Sequence, residues 1–187
     1  MEELLGAAPE RFGAAYWHYR DAYDRGSLNA AGYWRNVAAD LGRALDATTL
    51  AALIAADNAQ WTQPNQAMID WAAALQRAGI RTGVLSNLSG AMEDGVHAQF
   101  PWLQEFTHTT FSHRLGIAKP DAEIYRHAAE GLGVAPDEIL FIDDREENVT
   151  AARAAGMVAI LYRDVADGRA DFPEQMRQAG LEGLLVP

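Results

Sequence analysis

The sequence predicts an α/β fold, with a parallel β-sheet and a separate helical region, on three observations. Short apolar runs alternate with helical periodicity after Pro64. Residues from about 8 to 62 instead show helical periodicity and no β-rich run. Polar side chains directly follow the apolar runs, at the strand ends where open parallel sheets bind ligands.

Residues 1–62 are predicted to form a small α-helical domain. One helix face is marked by apolar residues three and four positions apart: Trp34, Val37, Leu41 and Leu45. Ser27 or Asn29 is placed to cap this helix, and the next helix is expected after Asp46.

The first helix of this region is strongly aromatic, with Tyr16, Trp17, Tyr19 and Tyr23 close together. The favoured interpretation is that these rings form a core between helices. The alternative is that one or two of them line a substrate pocket.

Residues 63–187 are predicted to form the α/β core. Strands are expected at residues 81–85, 107–111, 139–142 and 157–162, with helices between them. The third run is apolar throughout, as expected for a parallel strand covered on both faces. Strands and helices at this spacing indicate right-handed crossovers and a Rossmann-like sheet.

Composition narrows the classes of function. The chain has 26 acidic residues against 15 lysines and arginines, a formal charge of −11, which makes nucleic acid and membrane surfaces poor partners. It has no cysteine, which excludes disulfides, thiolate zinc sites and cysteine nucleophiles. No stretch approaches the roughly 20 apolar residues of a membrane helix. We expect a cytoplasmic protein, and its oligomeric state is not readable.

A cluster of carboxylates ends the third apolar run. Asp143 and Asp144 are followed by Arg145, Glu146 and Glu147. One interpretation is that Asp144 caps the next helix while the two glutamates favour its positive end. A bound Mg²⁺ would better explain two acids at one strand end, because it favours one or two carboxylates with water and substrate oxygens.

Two further candidate sites are the pair Ser86–Asn87, at the end of a predicted strand, and Lys119, in a predicted loop. Ser86 and Asn87 close the first apolar run, where they either form a turn or cap, or hold a phosphoryl oxygen. Lys119 precedes Pro120, which favours an extended backbone at Lys119. We expect the rigid proline to aim the ammonium, whereas a lone lysine in a loop is usually solvated. Its ammonium is placed to balance the two aspartates and to stabilise phosphoryl charge.

The order of these features resembles the haloacid dehalogenase superfamily. The runs Leu115–Tyr125 and Leu140–Val149 resemble its third and fourth motifs, and Val84–Asn87 is similar to its second. The helical block before Pro64 looks like the cap that these proteins insert over the active site. The resemblance covers nearly the whole chain, and its nearest subgroup contains sugar-phosphate phosphatases and the phosphatase domain of epoxide hydrolases.

That resemblance implies roles for the motif residues. Ser86 and Asn87 would bind the phosphoryl group, and Lys119 would neutralise it. Asp144 would be the main Mg²⁺ ligand, assisted by Asp143. Asn148 would support these two metal ligands without binding the metal itself. Dehalogenases of the superfamily carry serine and asparagine in place of the two aspartates, so the double acid favours phosphate chemistry.

The family's first motif, a strand ending in Asp-x-Asp, has no match. Its first aspartate attacks phosphorus and its second acts as general acid and base. Residues 1–11 contain no aspartate, and Asp21 and Asp24 lie in a helical stretch with the wrong spacing. Loss of a covalent nucleophile costs on the order of 10⁴ to 10⁶ in rate. Loss of a central strand would leave buried backbone groups unpaired, at about 1 to 3 kcal/mol each.

The predicted function is therefore an Mg²⁺-dependent phosphomonoester hydrolase acting on a small phosphorylated metabolite. We expect this chain to be inactive or impaired, through a start codon assigned too late or a truncated product. The alternative is a non-catalytic remnant that binds a phosphorylated metabolite or a protein partner.

Overall fold

A computed structural model describes residues 1–163 and 172–185. They form two compact units. The first unit comprises Met1–Pro64, Ser86–Leu103 and Phe111–Ala118. The second comprises Asn65–Leu85, Gln104–Thr110 and the described residues from Lys119 onward. The first unit thus contains two segments that the predicted division at residue 62 assigns to the core, and the division into cap and core stays a prediction.

The described elements alternate as expected after Pro64 and are helical before it. In chain order they are α1 (Glu2–Leu5), α2 (Pro9–His18), α3 (Arg20–Asp24), α4 (Ala30–Asp40), α5 (Ala47–Trp61), α6 (Gln66–Arg77), β1 (Gly83–Ser86), α7 (Gly90–Gln99), β2 (His108–Phe111), α8 (Ser112–Leu115), α9 (Ala122–Leu132), β3 (Leu140–Asp143), α10 (Glu146–Ala154), β4 (Val158–Leu161) and α11 (Phe172–Gln178). None of the described helices is both long and apolar enough to cross a membrane.

Side-chain caps fix the starts of the two long helices in the first unit. The Asn29 side chain accepts a hydrogen bond from the Gly32 N–H at 2.8 Å, so Asn29 caps α4 and Ser27 does not. Asp46 accepts from the Thr49 N–H at 2.7 Å and caps α5, as its position predicts. Each cap satisfies a backbone donor that the helix itself leaves unpaired.

The core of the first unit is aromatic. Tyr16, Tyr23 and Trp34 are at most 3% exposed and pack together with other buried residues of α2 to α5. The core interpretation is wrong for Trp17, whose side chain is 56% exposed and meets the exposed ring of Trp61 edge-on. Trp17 lies on the outer face of α2, because the neighbouring Tyr16 takes the inner face.

The four predicted strands are all present, with boundaries shifted by one or two residues. β3 pairs with β4 in parallel, from Leu140 opposite Val158 to Asp143 opposite Leu161. β1 pairs with β2. Within the described residues these are two separate two-stranded sheets.

Candidate active site

Lys119 lies in the loop between α8 and α9, and its side chain is only 11% exposed. Its ammonium donates to Asp143 Oδ2 at 2.6 Å and to the main-chain oxygen of Leu85 at 3.0 Å. The ammonium also lies 5.7 Å from the centre of the Phe141 ring. The lysine is therefore aimed at the ends of β1 and β3 rather than at solvent.

Asp143 ends β3, and both of its carboxylate oxygens are engaged. Oδ2 faces Lys119, while Oδ1 accepts from the Arg145 N–H and from Asn148 Nδ2, each at 2.9 Å. The residue is 9% exposed. A buried carboxylate needs such donors, because its charge has left water.

Asp144 is exposed, in contrast to its neighbour. The interpretation of Asp144 as a helix cap is wrong, because α10 begins at Glu146 and Arg145 takes the cap position. Glu146 and Glu147 do occupy the first turn of α10, where carboxylates favour the positive end of the helix. Asp144 is therefore a solvent-exposed acid that directly follows the buried Asp143 in the chain.

Asn148 supports Asp143 from the first turn of α10. It is 3% exposed and its Oδ1 is buried without a hydrogen-bond partner. Its main-chain oxygen accepts from the Tyr125 hydroxyl at 2.9 Å. Burial raises the pKa of that phenol, and the Asp143 charge raises it further, so Tyr125 remains a neutral donor.

The prediction from sequence did not include Tyr125. The residue ends the run Leu115–Tyr125, on the face of α9 that carries Ile124 and Ala128, so a buried aromatic there reads as ordinary core. Nothing in its spacing indicated that its hydroxyl holds the α10 backbone.

Ser86 is the last residue of β1, and Asn87 follows it. Both belong to the first unit, whereas Lys119, Asp143, Asp144 and Asn148 belong to the second. The structure thus brings together the predicted lysine, one of the two aspartates and the asparagine. The position of Ser86 and Asn87 at a shared phosphate site stays a prediction.

The side chains at the end of β3 and the start of α10 offer oxygen atoms, the type of ligand that hard cations prefer. No group of three histidine, cysteine or acidic residues within the described ranges is arranged to hold a metal. Mg²⁺ needs fewer protein ligands, since it is usually held by one or two carboxylates together with water and substrate phosphates. The exposed Asp144 carboxylate, Asp143 and the unpartnered Asn148 oxygen are all oxygen donors of the kind that Mg²⁺ prefers.

Comparison with known proteins identifies the family. Residues 3–156 match the family model described as haloacid dehalogenase-like hydrolase. The match covers most of the chain, and the chain belongs to this family of hydrolases.

Curated relatives are similar over part of the chain. Bifunctional epoxide hydrolase 2 of Rattus norvegicus is 35% identical over 106 residues, 54% of this chain and 19% of the relative. A phosphatase of Mycobacterium tuberculosis is 38% identical over 87 residues, 46% of this chain and 40% of the relative. The aligned regions thus span less than half of each of these proteins.

Solved structures agree on the fold. A family enzyme of Bacteroides thetaiotaomicron, in complex with magnesium and inorganic phosphate, superposes with a TM-score of 0.65 at 20% identity, over 83% of this chain and 87% of that one. L-2-haloacid dehalogenase of Xanthobacter autotrophicus gives a TM-score of 0.63 at 20% identity, over 94% and 70%.

Proposed function

We propose that this chain carries the phosphate- and magnesium-binding part of a phosphomonoester hydrolase that acts on a small phosphorylated metabolite. The observation that supports this most is the Lys119 ammonium, buried and held between Asp143 and the Leu85 carbonyl. A cation fixed at two strand ends is preorganised for the charge that develops on a transferring phosphoryl group.

Each residue has a distinct part in this proposal. Lys119 neutralises the phosphoryl oxygens, and the Ser86 hydroxyl and Asn87 orient them. Asp144 and Asp143 hold Mg²⁺, which supplies charge neutralisation when it is bound. Asn148 and the Arg145 N–H keep the Asp143 carboxylate in one orientation.

Phosphate chemistry is favoured over carbon–halogen cleavage by the same residues. The curated relatives include a phosphatase of Mycobacterium tuberculosis and a glyceraldehyde 3-phosphate phosphatase of Methanopyrus kandleri. Asp143 and Asp144 are both acidic, which suits a metal-held phosphate better than a halocarboxylate.

A second candidate is a non-catalytic protein that binds a phosphorylated metabolite or another protein. It is favoured by the helical structure of Met1–Pro64, all of which the structure describes. No strand there presents an aspartate as nucleophile. Turnover by these 187 residues would then be absent while anion binding persisted.

Hydrolysis of p-nitrophenyl phosphate separates the two candidates. It is measured for the 187-residue chain and for any longer in-frame product of the same gene, with and without Mg²⁺. We expect Mg²⁺-dependent turnover by a longer product and a loss of about 10² to 10³ in kcat on Lys119→Ala, the scale for removing one charge-stabilising donor. The control is Arg126→Ala, which removes an exposed cation of α9.

Two outcomes contradict the hydrolase. One is turnover that does not depend on a metal. The other is an equal effect of the two substitutions. Binding of inorganic phosphate to the 187-residue chain, without turnover by any product of the gene, would instead support the non-catalytic candidate.

A further inference from the structure

The loop that follows β1 is held through the main chain of Leu88. Leu88 directly follows Ser86 and Asn87, the pair proposed to bind the phosphoryl group. Its N–H donates to Ser112 Oγ at 3.0 Å, and its main-chain oxygen lies 3.0 Å from His113 Nδ1. Leu88 is 7% exposed and Ser112 is fully buried. Two successive residues of α8 thus hold the N–H and the C=O of one loop residue.

Both ring nitrogens of His113 face oxygen atoms. Nδ1 faces the Leu88 carbonyl, and Nε2 lies 2.9 Å from Glu93 Oε2. The imidazole is 15% exposed and the Glu93 side chain 9% exposed, so both groups are largely withdrawn from water. A neutral imidazole has one N–H and one lone pair, whereas the protonated ring donates from both nitrogens.

Neither of these oxygens can donate a hydrogen bond to the ring. The Leu88 oxygen is a carbonyl, which only accepts. Arg114 donates to both oxygens of Glu93, from Nε to Oε2 at 3.0 Å and from a terminal nitrogen to Oε1. This fork is the geometry of an ionised carboxylate, which also only accepts. The protonated ring is therefore the form of His113 that satisfies both contacts.

Two further elements bring charged groups towards this region. On α7, His97 Nε2 lies 3.0 Å from Glu93 Oε1, and the His97 side chain is 44% exposed. On α3, the Asp24 carboxylate accepts from Arg20 Nε at 2.9 Å. The charge of Asp24 is thus paired within its own helix, and Glu93 is the carboxylate that faces the His113 ring.

We propose that protonated His113 is a positioning residue of the phosphoryl-binding loop, so that anion binding at Ser86 and Asn87 is coupled to one proton on this ring. The inference rests on the proposed function, which assigns phosphoryl binding to these two residues. Loss of the proton sets a nitrogen lone pair against an oxygen of either Leu88 or Glu93. Either repulsion loosens the loop from α8, and anion affinity falls as the pH rises.

Sulfate is the probe for this coupling, because it is a tetrahedral dianion whose charge stays constant over the range in which histidines titrate, about pH 5 to 8. Its binding to this chain is followed by the amide NMR shifts of Ser86 and Asn87. We expect about tenfold weaker binding at the upper end of the range than at the lower end, the scale of one hydrogen bond to a charged group.

A pair of histidine variants assigns the dependence to one ring. In His113→Gln the amide fills one of the two contacts and does not titrate. We expect it to bind sulfate about tenfold more weakly at the lower end of the range and to lose most of the pH dependence. The control is His18→Gln, which removes an exposed histidine 3.4 Å from Asp40 in the same unit and should keep the full dependence. Equal dependence in the two variants would overturn the proposal.

Ser112→Ala separates the proton from mere support of the loop. It removes the other contact of Leu88 and no titratable group. We expect weaker sulfate binding at every pH, with the tenfold pH dependence retained. Loss of the dependence in this variant would show that any loosening of the loop abolishes it, and the role assigned to the His113 proton would fail.

Nitrogen NMR of the His113 ring, assigned through its own backbone, needs neither a ligand nor a variant. We expect protons on both ring nitrogens at about pH 5. When the ring loses one of them, the protection of the Leu88 amide against hydrogen exchange, relative to its intrinsic rate at the same pH, should fall about tenfold. A neutral ring at the lower pH, or constant protection of Leu88, would refute the proposal.

The same measurements separate this inference from the proposed function. If sulfate binds at no pH while the His113 ring and the Leu88 amide change together, phosphoryl binding at Ser86 and Asn87 is wrong and the proton-dependent loop contact is right. If sulfate binds equally well across the range, the anion site is supported and its coupling to His113 is wrong.

Discussion

The ion pair between Lys119 and Asp143 is the most constrained feature at the residue scale. The side chains are 11% and 5% exposed, and their nearest atoms are 2.6 Å apart. In such surroundings the cost of removing charges from water is close to the gain from their attraction. The contribution of the pair to stability is therefore measured best by removing one partner and leaving the other charge buried.

Lys119→Met is expected to lower the free energy of unfolding by about 3 to 5 kcal/mol, because it leaves Asp143 buried without its cation. Methionine retains much of the stem that packs near Phe141. Combining it with Asp143→Asn should recover most of the loss, since the amide keeps an acceptor for Arg145 and Asn148. Urea denaturation of the single and double variants measures the coupling, and strictly additive losses would contradict it.

Sequence reasoning found the lysine because proline and aspartate follow it in a recognisable run. It also placed Asp143 at a strand end. It did not separate the roles of Asp143 and Asp144, because adjacent residues of the same type look alike in a sequence. Only the fold shows that one is buried and bonded, and that the other faces solvent.

At the scale of elements, helix caps explain why α4 and α5 begin where they do. Asn29 and Asp46 make the same hydrogen bond to the backbone, but only one of them is charged. The hydrogen bond from the Thr49 N–H holds the pKa of Asp46 below its ordinary value. The two caps should therefore respond differently to pH.

Asp46→Ala should lower the melting temperature at neutral pH, and the loss should shrink as the pH falls. A carboxyl whose pKa is lowered by folding stabilises the fold above its unfolded pKa. That contribution disappears as the pH falls through the lower folded value. Thermal unfolding from pH 7 down to about pH 2 spans the ordinary aspartate range and measures the change.

Asn29→Ala is the control for this comparison. It removes an uncharged cap and should cost about 1 kcal/mol at every pH at which the protein folds. A loss at Asp46 that stays constant with pH would show that its charge contributes nothing.

The strands illustrate what can be predicted and what cannot. Four short runs rich in β-formers were enough to predict β1 to β4, and the run at residues 139–142 is apolar throughout, as in a buried parallel strand. Which strands pair is not readable from the runs. Pairing depends on contacts between distant segments, such as Leu140 with Val158. The division of the chain into units depends on similar contacts. The sequences of segments 86–103 and 111–118 do not indicate that these segments belong to the first unit.

At the scale of the whole molecule, the formal charge of −11 is the dominant electrostatic property. Like charges spread over a small protein repel one another and oppose the compact state. Salt shortens the range of this repulsion, from about 30 Å at 0.01 M to about 10 Å at 0.1 M.

Raising NaCl over that range should therefore raise the melting temperature by screening. MgCl₂ at matched ionic strength should raise it further if the chain binds Mg²⁺, because a ligand of the native state stabilises it. Asp144→Asn should abolish the additional rise and leave the NaCl effect intact. An equal response to the two salts would count against the metal site, and a fall with NaCl would count against repulsion.

The two oxygens of Asp143 differ in what holds them. Oδ1 accepts from an amide of the main chain and an amide of a side chain, whereas Oδ2 accepts from the ammonium of Lys119. Rotation about the Cβ–Cγ bond, which would interchange the oxygens, would break all three contacts at once. A ligand that displaces the Lys119 ammonium therefore contacts Oδ2, while Oδ1 keeps its two hydrogen bonds. The carboxylate can bind such a ligand through Oδ2 without rotating.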